Sequence, residues 1–364
     1  AYVEQSPTGE GQDSLTLAFG RRDLPPDPGR SVASLPDAEQ LGSFADFGLD
    51  SLFVTSQSRG NGAAKVKVTL FEGSTDRLPL APYSLVTFST TRLLQDQLAL
   101  TFAVGAFSAS GADDVLALGT ETLENDWTLW LVPNIGSGQE LPRQLQAELP
   151  PDLSPVDFSR AKTLGVAVIG ADVDGDGRDE AVWLVATNAG GCALLISDID
   201  AEQGTATLRQ RLDLEDSCPA PQLAAWNLNG DGEQTDAPSR GVDLLVLAGD
   251  PKVAPRQLAI FWNDLSGGFS NDNQSFVRDP DGQDIRSFSA FTKSNGLVYA
   301  AGDALHIAKS REDARELNRI RALDLQPGFH DLRSVVVTDP SGDGIEDMAV
   351  ADAQGLWLVK ATLR

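Results

Sequence analysis

Short apolar runs separated by clusters of Gly, Asp, Asn and Ser recur along most of the chain. Between Gly177 and Gly232 the runs are AVWLVAT, CALLISDI, ATLRQRLDL and PQLAAWNLN. Between Gly48 and Gly111 they are SLFVTS, KVKVTLFEG, YSLVTFST and LALTFAVGAF. Successive side chains of a strand point to opposite faces. Runs of this length, bounded by turn-forming residues, therefore predict strands. One stretch differs. SREDARELNRIRAL, residues 310–323, spaces Leu317, Ile320 and Leu323 as a helix would. It is read either as a helix, with its arginines on a solvated face, or as a loop leading into a strand.

The polar clusters repeat as well. Asp172-Val-Asp174-Gly-Asp176-Gly-Arg178-Asp179-Glu180 precedes AVWLV, and Asp339-Pro-Ser341-Gly-Asp343-Gly-Ile345-Glu346-Asp347 precedes MAVAD. A third copy is Asn227-Leu-Asn229-Gly-Asp231-Gly232, whose following strand is delayed until Asp243. Fainter copies align on Gly48, Gly111 and Gly296. The period is about 60 residues, within the class of propeller repeats. Four strands per period make one propeller blade.

Two apolar runs follow Gly344, MAVADA and GLWLVKATL. Two more precede Gly48, SLTLAFGR and one within SVASLPDAEQLGSF. The expected fold is therefore all-β: a single β-propeller over residues 13–364, with six four-stranded blades, the sixth closed by N- and C-terminal strands. Seven blades is the alternative count. Residues 1–12 are polar and are expected to be flexible.

Charge narrows the function classes. The 364 residues carry 28 Lys+Arg and 53 Asp+Glu, a formal net charge of −25. Nucleic acid and anionic membrane surfaces are poor partners for such a chain. An apolar content of 41% argues against disorder. No apolar run reaches the ~20 residues of a membrane-spanning helix.

Some of the carboxylates sit where a cation would hold them. Oxygen side chains at positions 1, 3 and 5 of a tight loop converge, and glycines at 4 and 6 allow positive φ. A backbone carbonyl at position 7 and a carboxylate near position 9 complete a Ca²⁺ shell. The first loop offers Asp172, Asp174, Asp176, the Arg178 carbonyl, and Glu180 or Asp179. The second offers Asp339, Ser341, Asp343, the Ile345 carbonyl and Asp347. The third offers Asn227, Asn229 and Asp231, with Asp236 or Asp243 closing. All donors are hard oxygens, so two or three Ca²⁺ ions are expected and Zn²⁺ is not. Asp-Gly loops also form plain turns. The loops at Gly48, Gly111 and Gly296 carry Ser, Ala, Phe or Lys at ligand positions and are read that way.

The segments VIGADVDGDGRDEAVWL and VVTDPSGDGIEDMAVAD resemble FG-GAP/VCBS repeats, the type found in integrin α-chain heads and in many secreted bacterial proteins. AAWNLNGDG is similar in its first half. The resemblance runs from about residue 43 to the end. It implies Ca²⁺ at Asp172, Asp174, Asp176, Asp339, Asp343, Asn227, Asn229 and Asp231.

The expected function is a calcium-stabilised, non-enzymatic binding, adhesion or scaffold module for a protein or glycan partner, placed outside the cytoplasm. The alternatives are an extracellular polysaccharide hydrolase or lyase, and a structural subunit of a surface complex. Met348 is the only methionine, so residue 1 is not a translational start, and removal of a signal peptide is one explanation. Cys192 and Cys218 form one disulfide or stay as two buried thiols. The six tryptophans, mostly inside strand runs, are expected to pack between blades.

Overall fold

A computed structural model of the chain describes its strands along the whole length. It describes in full residues 101–109, 113–118, 128–134, 142–153, 166–229, 242–291, 296–309, 317, 322–323, 328–337, 346–353, 355, 357 and 359. The first strands are β1 (Tyr2–Glu4), β2 (Gln12–Leu17) and β3 (Arg30–Pro36), then β4 (Ala38–Asp46), β5 (Leu49–Gly60), β6 (Ala63–Phe71) and β7 (Tyr83–Ser89). Next come β8 (Ala99–Gly105), β9 (Asp114–Thr120), β10 (Trp127–Val132) and β11 (Arg143–Ala147). They are followed by β12 (Val166–Ala171), β13 (Glu180–Ala186), β14 (Cys192–Asp200) and β15 (Thr205–Leu214). Then come β16 (Gln222–Trp226), β17 (Asp243–Leu247), β18 (Leu258–Phe261) and β19 (Gln274–Val277). The chain finishes with β20 (Ile285–Ala290), β21 (Gly296–Ala301), β22 (Ala304–Ser310), β23 (Leu317–Ala322), β24 (Ser334–Thr338), β25 (Asp347–Ala351) and β26 (Leu356–Val359).

Consecutive strands pair antiparallel into meanders β4–β7, β8–β11, β12–β15, β16–β19 and β20–β23. The first strands of successive meanders lie next to one another in turn: β4, β8, β12, β16, β20 and β24. Among the described residues, the meanders β12–β15, β16–β19 and β20–β23 are covered on both faces by their neighbours, which is why their strands read as unbroken apolar runs. In β13, Ala181, Trp183 and Val185 face Leu116, Leu118, Leu129 and Leu131 of the preceding meander. Val182 and Leu184 of the same strand face Leu244, Val246 and Phe261 of the following one. Burial of each such large side chain stabilises by about 1.5–3 kcal/mol. Sheets stacked face to face, with first strands side by side, make an all-β propeller.

Three features refine the sequence reading. Leu317–Ala322 is a strand, β23, paired with β22, and not part of a helix. Leu317 packs half-buried against the core between the last two four-stranded meanders, and sheet pairing satisfies the backbone that a helix would have used. The shared terminal blade is not formed among the described strands: β1–β3 make one sheet and β24–β26 another. The cause lies in SVASLPDAEQLGSF, which is two strands, β3 and β4, and not one. Pro36 lacks a backbone N–H and stands where β3 ends. The N-terminus therefore has strands for a sheet of its own. Taking the eight-stranded sheet as its two meanders, the described strands fall into seven groups. Finally, Tyr2–Glu4, within residues 1–12, pairs with β2, Val3 opposite Leu15.

Cys192 and Cys218 are joined as a disulfide, with Cα atoms 5.6 Å apart. Both are buried, and the bond ties the start of β14 to the connection into the next meander. Trp183 and Trp262 are buried in interblade cores as expected, and Trp226 packs half-buried against one. Trp357 is 36% exposed, its indole N–H donating to Asp352 Oδ1 at 2.9 Å. The side chain of Trp127 lies outside the described residues.

Candidate metal centre

The loops joining first to second and third to fourth strands of each meander lie at one end of the sheets. The loop between β12 and β13 carries the best-formed Asp/Gly cluster. Gly175 and Gly177 have φ of 76° and 89°, the left-handed values expected at loop positions 4 and 6. Asp172 Oδ1 accepts from Gly175 N–H at 2.6 Å and its Oδ2 from Gly177 N–H at 3.0 Å. Asp174 Oδ1 accepts from Asp176 N–H at 3.1 Å, and Asp176 Oδ1 from Arg178 N–H at 2.8 Å. One carboxylate oxygen from each of Asp172, Asp174 and Asp176 lies within 4.8 Å of the others. Three convergent carboxylates on a turn held by glycine fit a hard divalent cation such as Ca²⁺. They would carry most of its charge neutralisation.

The two acids at the end of this loop hold the chain together. Asp179 Oδ2 accepts from Ala106 N–H at 2.8 Å, and Asp179 N–H donates to the Ala106 carbonyl at 3.0 Å. This staples the loop to the preceding meander. A Cβ at Gly105 would stand 2.4 Å from Asp179 Oδ2, so the close approach requires glycine. Burial pushes the Asp179 carboxyl up. Glu180 Oε2 accepts from Val173 N–H at 2.9 Å. Burial pushes Glu180 up to about 8 against the pull of that hydrogen bond, and Asp174 adds to the rise.

Glu180 belongs to a set. The first residue of the second strand is a buried acid in four meanders: Asp114, Glu180, Asp243 and Asp347. Asp114 accepts from Ser108 N–H at 2.6 Å and from Asn134 N–H at 2.7 Å. Asp243 accepts from Leu228 N–H at 3.1 Å and from Asn263 N–H at 3.0 Å. In both cases one carboxylate ties the first loop of its blade to the third. Asp243, considered from sequence as a closing metal ligand, is placed in this role. Asp114 was missed because its loop lacks the ligand pattern. Its signal is an acid three residues after the loop's second glycine, as in Gly111–Asp114, Gly177–Glu180 and Gly344–Asp347.

Of the other predicted ligands, Asn227 is half-buried and Asn229 fully buried at the start of the third Asp/Gly loop. Asp231 and Asp236 lie outside the described residues, as do Asp339, Ser341, Asp343 and Ile345 of the second loop. A buried group with no sequence forewarning joins Asp279, His306 and Tyr299. His306 Nε2 stands 3.2 Å from Asp279 Oδ1 and stacks on the Tyr299 ring at 5.0 Å.

Acids at the opposite end of the sheets pair with arginines. Arg256 donates from Nε and Nη2 to Asp284 at 3.0 and 2.8 Å. Arg211 forks onto Asp152 at 2.7 Å, and Arg286 pairs with Asp331. Burial raises Asp284, but the Arg256 hydrogen bonds outweigh it and hold the carboxyl below its usual range.

No family model matches the chain, and no curated protein matches it. Several solved structures are similar. The β-propeller domain of Cps50 (Swd1) from Myceliophteria thermophila has a TM-score of 0.48 at 15% identity, covering 99% of each chain. The fucose-specific lectin of Aleuria aurantia has 0.42 at 12% identity, covering 87% of this chain and 93% of that one. The Hadza microbial sialidase Hz136 has 0.47 at 13% identity, covering 85% of this chain and 63% of that one. The propeller architecture rests on the strand order and shared cores described above.

Proposed function

We propose that the chain is a calcium-stabilised, extracytoplasmic propeller of the FG-GAP/VCBS type, acting as a non-enzymatic binding or scaffold module for a protein or glycan partner. The carrying observation is the convergence of Asp172, Asp174 and Asp176 on a loop whose glycines take left-handed values. Calcium would stiffen that loop, and through the Val173 carbonyl, which accepts from Asn263 Nδ2 at 2.8 Å, the next blade as well. The buried disulfide supports an oxidising compartment. The buried acids support a structural reading, because Asp114 and Asp243 spend their oxygens on backbone N–H groups. Affinity capture from the native source, with calcium or with EDTA, tests the function. A partner retained only with calcium is the expected result. Turnover of a polysaccharide substrate by the purified chain would overturn the non-enzymatic reading.

A further inference from the structure

We propose that Arg209 is a resident counter-cation of the Asp172 loop, and that it competes with a divalent ion for Asp174 and so sets the calcium threshold of the site. The inference rests on the calcium reading above. Arg209, on β15, stands 35 positions from Asp174 in sequence, yet its Nη1 donates to Asp174 Oδ2 at 2.7 Å. The same nitrogen lies 3.7 Å from Asp198 and 4.0 Å from Glu180. Nη2 donates to the Ser266 carbonyl at 3.1 Å, in the third-to-fourth-strand loop of the next meander. Gly267, with φ of 79°, closes the other side. A Cβ there would come within 2.8 Å of both Arg209 Nη2 and Asp174 Cβ. The guanidinium is thus wedged between two loops at a blade boundary.

A guanidinium cannot leave by losing its proton. A dication bound by Asp172, Asp174 and Asp176 therefore meets a second positive group on the same carboxylate. Like charges at this range repel. Whether Arg209 stays or moves away, the ion binds more weakly than the three carboxylates alone would hold it. This places the site toward the weak end of calcium affinities, about 10⁻⁴–10⁻³ M, where extracellular modules work. Arg209 thereby makes the loop answer to extracellular calcium and keeps one of its three carboxylates paired at trace levels.

The test is a CaCl₂ titration of the full chain by calorimetry, comparing the wild type with Arg209→Gln and Arg211→Gln. Arg211 is two residues along the same strand and pairs with Asp152 and Asp213. Its loss removes one charge without touching the loop. The expected result is calcium binding about tenfold tighter in Arg209→Gln and changed less than about twofold in Arg211→Gln. A second readout uses the wild type alone. The side-chain Nε–H resonance of Arg209 should shift on adding calcium, while that of Arg211 stays. Equal or weaker affinity in Arg209→Gln overturns the proposal, as does an Arg209 resonance that calcium leaves unmoved. Absence of calcium binding in all three proteins overturns the calcium reading and this proposal with it.

Discussion

The two ends of the blades solve the same electrostatic problem in opposite ways. At the end bearing the first-to-second-strand loops, carboxylates are satisfied by backbone N–H groups, and at the Asp172 loop they gather without an equal number of cationic side chains. At the other end three acids are paired with arginines, Asp152 with Arg211, Asp284 with Arg256 and Asp331 with Arg286, while Asp279 and Asp352 there accept from backbone N–H groups. The disulfide also lies at this end. One end draws on three arginine pairs. The other carries the loop that a cation would finish. A net charge of −25 is thus unevenly managed, and only one end should respond to divalent ions.

The strongest break of the comparison is removal of the disulfide. Cys192→Ser with Cys218→Ser should cost about 2–5 kcal/mol. The loss, followed by denaturant unfolding, should be the same with calcium and with EDTA. Next is Asp243→Ala, which leaves the buried N–H groups of Leu228 and Asn263 without an acceptor. Its expected cost is about 2–3 kcal/mol.

A smaller effect separates the ends by pH. Burial raises Asp114 above the ordinary carboxylate value, so this group favours folding when protonated. Its contribution falls as pH rises from about 4 through its raised value. Asp284 is lowered, so its contribution is present above about pH 4 and is lost as pH falls through its folded value. Asp114→Asn should flatten the first slope and Asp284→Asn the second, as read from melting temperatures in a series of buffers from acid to neutral pH. Slopes of the same sign for both groups would remove the distinction.

How much of this was legible in the sequence depends on distance along the chain. The strands and the Asp172 loop were readable because alternation and the Asp/Gly pattern are local. Gly175 and Gly177 adopt the φ values the pattern demands. The role of Asp114 and Asp243 in tying the first loop to the third was not readable, because in each the third-loop partner is remote. Asp114 is 20 positions from Asn134, and Asp243 is 20 from Asn263. The helical spacing of Leu317, Ile320 and Leu323 left two readings open, and pairing with the neighbouring strand β22 selects the strand. Arg209 meets Asp174 only because β15 folds back beside its own blade's first loop.

The central claim is that the Asp172 loop holds calcium and that the stability of its end depends on it. The direct measurement is the melting temperature of wild type and Asp172→Ala, each in EDTA and in CaCl₂ at about one hundred times the dissociation constant. Binding to the folded state alone then stabilises by about 2.7 kcal/mol. The predicted result is a calcium-dependent rise in the wild type that shrinks in Asp172→Ala. A wild-type melting temperature unmoved by calcium, or a rise of the same size in Asp172→Ala, would contradict the account.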